Sequence, residues 1–238
     1  MTPTTQRLRH DTRRRSLTVT QTHRLTPNML RLRLEGDLGD FVSASPGDHI
    51  KLFVPTGGAE VMRDYTPRRF DAAAGWLEID FALHEAGPAT LWALGAQVGD
   101  AAVIGGPRGS LVIGGVQSWL LIGDETALPA IARRIEELPA GVQVTSVVAV
   151  PGPQDVQQIA TTATHRAFWV HRADPTDASG LLQVLATLQL APETFVWIAA
   201  EAGVARAARD ALPQVPPEWL RAAGYWLAGQ ADAAVKEL

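Results

Sequence analysis

The periodicity of apolar residues changes character once along this chain, just after Gly114-Gly115, and that change limits the possible folds more than any other feature. Before it, short runs alternate at period two over residues 17–25, 29–35, 49–55, 63–70, 76–83 and 101–104. Thr26-Pro27-Asn28, Ser45-Pro46-Gly47-Asp48, Thr56-Gly57-Gly58 and Gly99-Asp100 punctuate them as turns. Many short strands with turn signals between them predict a small antiparallel β-barrel, with one short helix from Pro88 to about Leu94. After the change, strand-like runs (118–122, 142–150, 168–171, 195–200, 222–227) alternate with helix-like ones (126–138, 179–188, 204–212). That alternation predicts a mostly parallel, Rossmann-like sheet covered by helices on both faces. The expected fold is therefore an N-terminal antiparallel β-barrel domain over residues 1–115 and an α/β domain over 116–238, the boundary falling between 112 and 117.

Composition narrows the chemistry. With 238 residues, 46% of them apolar, there is enough material for two buried cores. A formal net charge of −4 provides no global basic field for nucleic acid. The exception is Arg7, Arg9 and Arg13-Arg14-Arg15, which read as a solvated N-terminal arm. There are no cysteines, so disulfides, cysteine-ligated iron–sulfur clusters and thiolate nucleophiles are excluded, and redox chemistry requires a bound organic cofactor. The six histidines, at 10, 23, 49, 84, 165 and 171, show no metal-ligand spacing. No apolar segment is long enough to cross a bilayer and no leader is evident, which makes a cytoplasmic location the default.

One short run concentrates chemistry: Met62-Arg63-Asp64-Tyr65-Thr66-Pro67-Arg68. In an extended chain Arg63 and Tyr65 share a face about 7 Å apart, and Thr66 points the other way. A guanidinium grips a pyrophosphate through two parallel hydrogen bonds, and a phenol ring packs on a flat heterocycle. The run suits a long cofactor with an anionic middle and an aromatic end; it is equally an amphipathic strand with a Thr turn before Pro. Gly87-Pro88-Ala89-Thr90 opens the short helix, where unpaired N–H groups and a positive dipole end welcome an anion or simply mark a surface helix. Gly123-Asp124-Glu125-Thr126 lies at the carboxyl end of the first strand of the α/β half, where open sheets bind ligands. It lacks the Gly-x-Gly-x-x-Gly fingerprint and sets two carboxylates where a phosphate is expected. Asp124 or Thr126 also reads as a helix cap.

Arg-x-Tyr-Thr at 63–66 resembles the signature of the ferredoxin-reductase-like flavoproteins. Three further segments, in order and at matching distances between about residues 15 and 229, make the chain similar to the siderophore-interacting protein family, FAD-dependent ferric-siderophore reductases. They are Asp80-Phe81-Ala82-Leu83-His84 leading to Gly87-Pro88-Ala89-Thr90-Leu91-Trp92-Ala93, then Gly106-Pro107-Arg108-Gly109-Ser110, and Gly123-Asp124-Glu125-Thr126-Ala127-Leu128-Pro129-Ala130.

The resemblance implies a role for each motif. Arg63 and the turn of Gly87, Pro88, Ala89 and Thr90 clamp the FAD pyrophosphate. Tyr65 packs on the isoalloxazine ring, and Thr66, the catalytic candidate, lies near the flavin N5. His84 stands beside the FAD. Gly123, Asp124, Glu125 and Thr126 mark the NAD(P)H side, with Trp197-Ile198-Ala199-Ala200-Glu201-Ala202 as a second cofactor-facing edge in which Glu201 reads as structural. Lys51, Arg108 and Arg221 form a basic basin for an anionic ferric siderophore of catecholate type. Many members carry a basic residue where this chain has Leu227, so no role is assigned there. The implied reaction passes electrons from NADPH or NADH, with reduced ferredoxin as another donor, through FAD to chelated Fe(III). A flavin reductase acting on a quinone, free flavin or protein, and a non-catalytic binder of siderophore or flavin, are the alternatives. Neither Arg133-Arg134 nor the Asp155 region decides between the two nucleotides, and a monomer is the default.

Overall fold

The computed structural model describes residues 2–56, 59–84, 87–230, 234, 235 and 238. The chain divides into two compact units near residue 112, one covering Thr5–Val112 and the other running from Ile113.

The N-terminal half contains nine strands, most of them built on alternating apolar residues: β1 (Thr4–Arg9), β2 (Arg14–Thr26), β3 (Met29–Gly36), β4 (Ile50–Thr56), β5 (Ala59–Tyr65), β6 (Arg69–Asp71), β7 (Trp76–Ala82), β8 (Ala101–Gly105) and β9 (Gly109–Gly114). Helix α1 (Pro88–Gly95) lies between β7 and β8. Seven strands form one antiparallel sheet in the order β5-β4-β8-β2-β3-β7-β6. Leu30, Leu32 and Leu34 pair in register with Phe81, Ile79 and Leu77, and with Ile50, Leu52, Val54 and Ile104 they form the core.

The sheet order carries a geometric consequence. β5 and β6 occupy opposite edges, yet only Thr66, Pro67 and Arg68 join them. A flat seven-stranded sheet would be about 29 Å wide. Four Cα steps from Tyr65 to Arg69 reach about 15 Å at most. The sheet must therefore curl until its edges meet, which makes it a barrel with a seam at Thr66-Pro67-Arg68. This also explains why the single strand expected over 63–70 is broken: Pro67 has no N–H to give to a ladder.

Arg7, Arg9, Arg13 and Arg14 are exposed, as expected of a solvated segment, but Arg15 is buried and the segment is built into strands. Residues 4–9 pair with β9 in a two-stranded sheet. Arg14 donates from Nη2 to both carboxylate oxygens of Glu60, at 2.6 and 2.7 Å, and its guanidinium stacks over Phe53. Arg15 is buried and holds Asp40 at 2.9 Å. A carboxylate distant in sequence meets each, which local charge density alone does not reveal.

In the C-terminal unit β10 (Ser118–Asp124), β11 (Gln143–Val150), β12 (Thr164–His171), β13 (Thr194–Glu201) and β14 (Leu220–Trp226) form a wholly parallel sheet in the order β12-β11-β10-β13-β14. Helices α2 (Leu128–Glu137), α3 (Ser179–Thr187) and α4 (Ala202–Asp210) connect them. Numbered within the sheet this is 3-2-1-4-5, the doubly wound order, whose direction reverses between β10 and β13. β10 is buried along almost its whole length, as a central strand covered on both faces must be. At Gly123 an added Cβ would sit 2.6 Å from the Ala199 carbonyl oxygen and 2.8 Å from Ile131 Cδ1, so only glycine lets α2 pack this closely.

Candidate functional site

The N-terminal unit gathers its candidates around the barrel seam. Val61, Arg63 and Tyr65 share the half-buried face of β5, while Met62 and Asp64 are exposed. Arg63 donates from Nη1 to the Met62 carbonyl at 2.9 Å. Tyr65 packs against Phe81 with ring centroids 4.4 Å apart, and Phe81 meets Trp92 of α1 at 6.0 Å. This aromatic line ties the β5 end to the helix. Burial pushes the Tyr65 phenol well above its ordinary range, against a smaller opposite pull from Arg63, so the ring stays neutral. Thr66 is buried in the seam itself.

α1 starts from an extended Gly87 with Pro88 in its first turn, no side-chain cap and no acidic residue there. Helix geometry leaves the Ala89 and Thr90 N–H groups outside the helix's own ladder. Ala89 and Thr90 are buried, and His84 is exposed just beyond β7. Lys51, on β4, is paired with Asp64 at 2.7 Å. Arg108 is exposed in the turn between β8 and β9.

The C-terminal unit presents a buried polar knot at the carboxyl ends of its strands. Asp124 is fully buried. Its Oδ1 accepts the Thr126 N–H at 2.9 Å and the Thr126 hydroxyl; its Oδ2 accepts the Glu201 N–H at 2.8 Å and Trp226 Nε1–H at 3.0 Å. Arg172, immediately after β12, lies 3.1 Å from Glu125 Oε2 and 3.7 Å from Asp124 Oδ2. Glu201 caps α4 by accepting the N–H groups of Gly203 and Val204, and its other oxygen accepts Ala228 N–H at 3.2 Å. The two carboxylates that looked misplaced for a phosphate site thus have internal partners. Asp124 fastens β10, β13 and β14 together, and Arg172 offsets Glu125. Arg172 and Trp226 were not foreseen as partners of this turn, since their only sequence signal is a position at or just past a strand's end. Arg221, on β14, donates to the Leu220 carbonyl at 2.9 Å.

Burial, followed by the neighbouring charge of Asp124, raises the Glu125 carboxyl from 4.5 to about 7, against the pull of Arg172. Between pH 4.5 and 7 the folded chain keeps a proton that the unfolded chain has released, so raising the pH through this window costs stability. Below it both states are protonated and the effect vanishes; above it the penalty is complete, at most about 3 kcal/mol. Glu125→Gln keeps an acceptor for Arg172 without titrating. Thermal melts at pH 5 and pH 8 should show a smaller loss for the variant than for the parent, and equal losses would contradict this account.

A curled antiparallel barrel followed by a doubly wound parallel sheet is the two-domain architecture of a solved ferredoxin reductase in carbazole 1,9a-dioxygenase, a likeness in fold at a TM-score of 0.71 and 21% identity. Within that architecture, the chain matches the family model for the siderophore-interacting FAD-binding domain over residues 18–61 and 58–111, and that for siderophore-interacting protein over 116–229. It belongs to the siderophore-interacting protein family. It is 34% identical to the NADPH-dependent ferric-chelate reductase of Escherichia coli K12, covering 93% of this chain and 96% of that protein. The ferric vibriobactin reductase of Vibrio cholerae is 28% identical over 90% of this chain and 89% of its own length. The crystal structure of a siderophore utilization protein from T. fusca superposes with a TM-score of 0.90 and 32% identity, covering 97% of this chain and 98% of that one.

The residue types at these positions are chemically compatible with FAD. An uncapped helix start and a guanidinium on a half-buried strand face suit a pyrophosphate, and the half-buried Tyr65 and Trp92, backed by the fully buried Phe81, suit a flat ring.

Proposed function

We propose that this protein is a ferric-siderophore reductase, using NADPH as donor and FAD as resident cofactor to reduce siderophore-bound Fe(III) and release Fe(II). The observation that carries this reading is the near full-length relation to the NADPH-dependent ferric-chelate reductase, together with family matches to both halves of the chain. Bound FAD supplies the conversion of a two-electron hydride into single electrons, so one NADPH reduces two ferric centres and leaves NADP⁺ and one proton.

The protein's own residues supply position and field. In this reading residues 1–115 are the FAD-binding domain and 116–238 the NADPH-binding domain. Arg63 and the N–H groups of Ala89 and Thr90 hold the pyrophosphate, with Gly87 and Pro88 setting the helix start. Tyr65 bears on the ring, Thr66 offers its hydroxyl or N–H at the reactive edge, and His84 flanks the cofactor. Gly123, Asp124, Glu125 and Thr126 shape the donor side at the sheet's reversal point. We assign Asp124 a scaffolding part there, because its acceptor sites are already engaged.

Lys51, Arg108 and Arg221 attract an anionic ferric catecholate. Fe(II) binds hard anionic oxygens less well than Fe(III), so reduction loosens the chelate without breaking the ligand. We place this activity in the cytoplasm, in a monomer. Among the described residues no helix is long and apolar enough to cross a membrane.

The test is a visible spectrum of the purified protein titrated with FAD, then anaerobically with NADPH and a ferric catecholate complex. A bound-flavin spectrum that bleaches with NADPH and returns with the iron complex supports the whole path; a protein that takes up no FAD sinks it. Replacing Lys51, Arg108 and Arg221 together with alanine should raise KM for the ferric complex about tenfold or more while FAD affinity stays within twofold. An unchanged KM would remove the basin.

A further inference from the structure

The turn at residues 106–110 is held from both ends by buried polar groups. At its start Arg15, 7% exposed, donates to the Gly106 carbonyl at 3.3 Å while gripping Asp40. At its end Ser110, 4% exposed, donates its hydroxyl proton to Asp48 Oδ2 at 2.6 Å and accepts the Ala44 N–H at 3.0 Å. Asp48 is also buried, and the same oxygen accepts the Ser43 hydroxyl at 2.9 Å and the Ser45 N–H at 3.0 Å.

His10 completes the arrangement. Its Nε2 lies 2.8 Å from Ser110 Oγ. A serine hydroxyl has one proton, and Ser110 directs it at a carboxylate, so Nε2 of His10 must be the donor. The backbone N–H of His10 donates to the Arg108 carbonyl at 3.0 Å. His10 therefore touches the turn on both sides of Gly109. At Gly109 an added Cβ would sit 2.3 Å from the Leu8 carbonyl oxygen, so the first strand lies flush against it. Gly106, Pro107 and Ser110 are buried, and Arg108 is the exposed residue among them.

We propose that His10, acting through Ser110 and the Arg108 carbonyl, is a positioning residue for Arg108, holding the turn in the conformation that presents its guanidinium to the anionic ferric complex. The inference rests on the reading of Arg108 as a substrate-binding residue. Fixing the backbone beneath a long, flexible cation lowers the ordering cost of binding. It also gives the N-terminal segment a function: β1 brings His10 to the turn.

The experiment is a double-mutant cycle on the FAD-loaded protein. The probe is the Fe(III) complex of 2,3-dihydroxybenzoate, read as Kd by tryptophan quenching and as KM and kcat with NADPH. Arg108→Ala should raise Kd and KM about fivefold, and His10→Ala about threefold, with kcat and FAD affinity held. His10→Gln, whose amide N–H reaches where Nε2–H does, should restore the parent value. His10→Asn, too short to reach, should behave like His10→Ala and replaces it in the cycle if the alanine variant does not fold. In the Arg108→Ala background the His10 substitution should add nothing. If Arg108→Ala shifts Kd but the His10 substitution does not, or shifts it equally in both backgrounds, positioning is overturned and the basin stands. If Arg108→Ala leaves Kd unchanged, Arg108 leaves the basin and the proposal falls with it.

Discussion

Replacing Arg63 with alanine should weaken FAD binding by about 2–3 kcal/mol, roughly thirty- to a hundredfold in Kd. The expectation follows from its place. Arg63 shares the half-buried face of β5 with Tyr65 at the end leading into the barrel seam, and its Nη1 is steadied by the Met62 carbonyl at 2.9 Å. A guanidinium so held offers a pyrophosphate two donors in a fixed fork. Arg63→Lys keeps the charge but loses the fork, so it should fall between parent and alanine. Fluorescence titration with FAD measures all three, and an unaltered Kd for the alanine variant removes Arg63 from the cofactor site.

Asp124→Ala should be the most destabilising single change considered, by about 3–5 kcal/mol, lowering Tm by about 10 °C or more. Removing this carboxylate strands the N–H groups of Thr126 and Glu201 and the indole N–H of Trp226, and takes one negative charge from beside Arg172. Each buried donor left unpaired costs about 1–3 kcal/mol. Asp124→Asn should cost less, since one acceptor oxygen survives, but its amide nitrogen cannot accept in place of the second. Thermal melts of the three proteins provide the measurement. A shift of only about 2 °C for the alanine variant would mean that Asp124 does not bind the three strand ends together.

The two expectations differ in how visible they were. Arg63, Tyr65 and Thr66 sit within four residues of one another, so strand periodicity alone set their relative faces, and the Gly-Pro start of α1 announced an open helix end. Strands and helices were legible for the same reason: alternation and the 3.6-residue period are local, and burial of one face enforces them. Strands β1 and β9 were missed because Gly109 and the arginine-rich start carry little apolar alternation. The helix expected from Thr126 begins at Leu128 instead, because Asp124 turns the chain back on Thr126 first.

By itself, then, the sequence determined most of the strands and helices, the change from an antiparallel to a parallel pattern after residue 115, and the shared face of Arg63 and Tyr65. Only the tertiary structure decided which distant groups meet. It joins β5 to β6 across the barrel seam and brings His10 to Ser110 over a separation of 100 residues. It also brings Glu201 and Trp226 to Asp124 from 77 and 102 residues away. The physical reason is one of range. Backbone preference and periodicity act over a few residues, whereas a buried charge accepts whichever donor the packed sheet presents, and that choice is made by strand order.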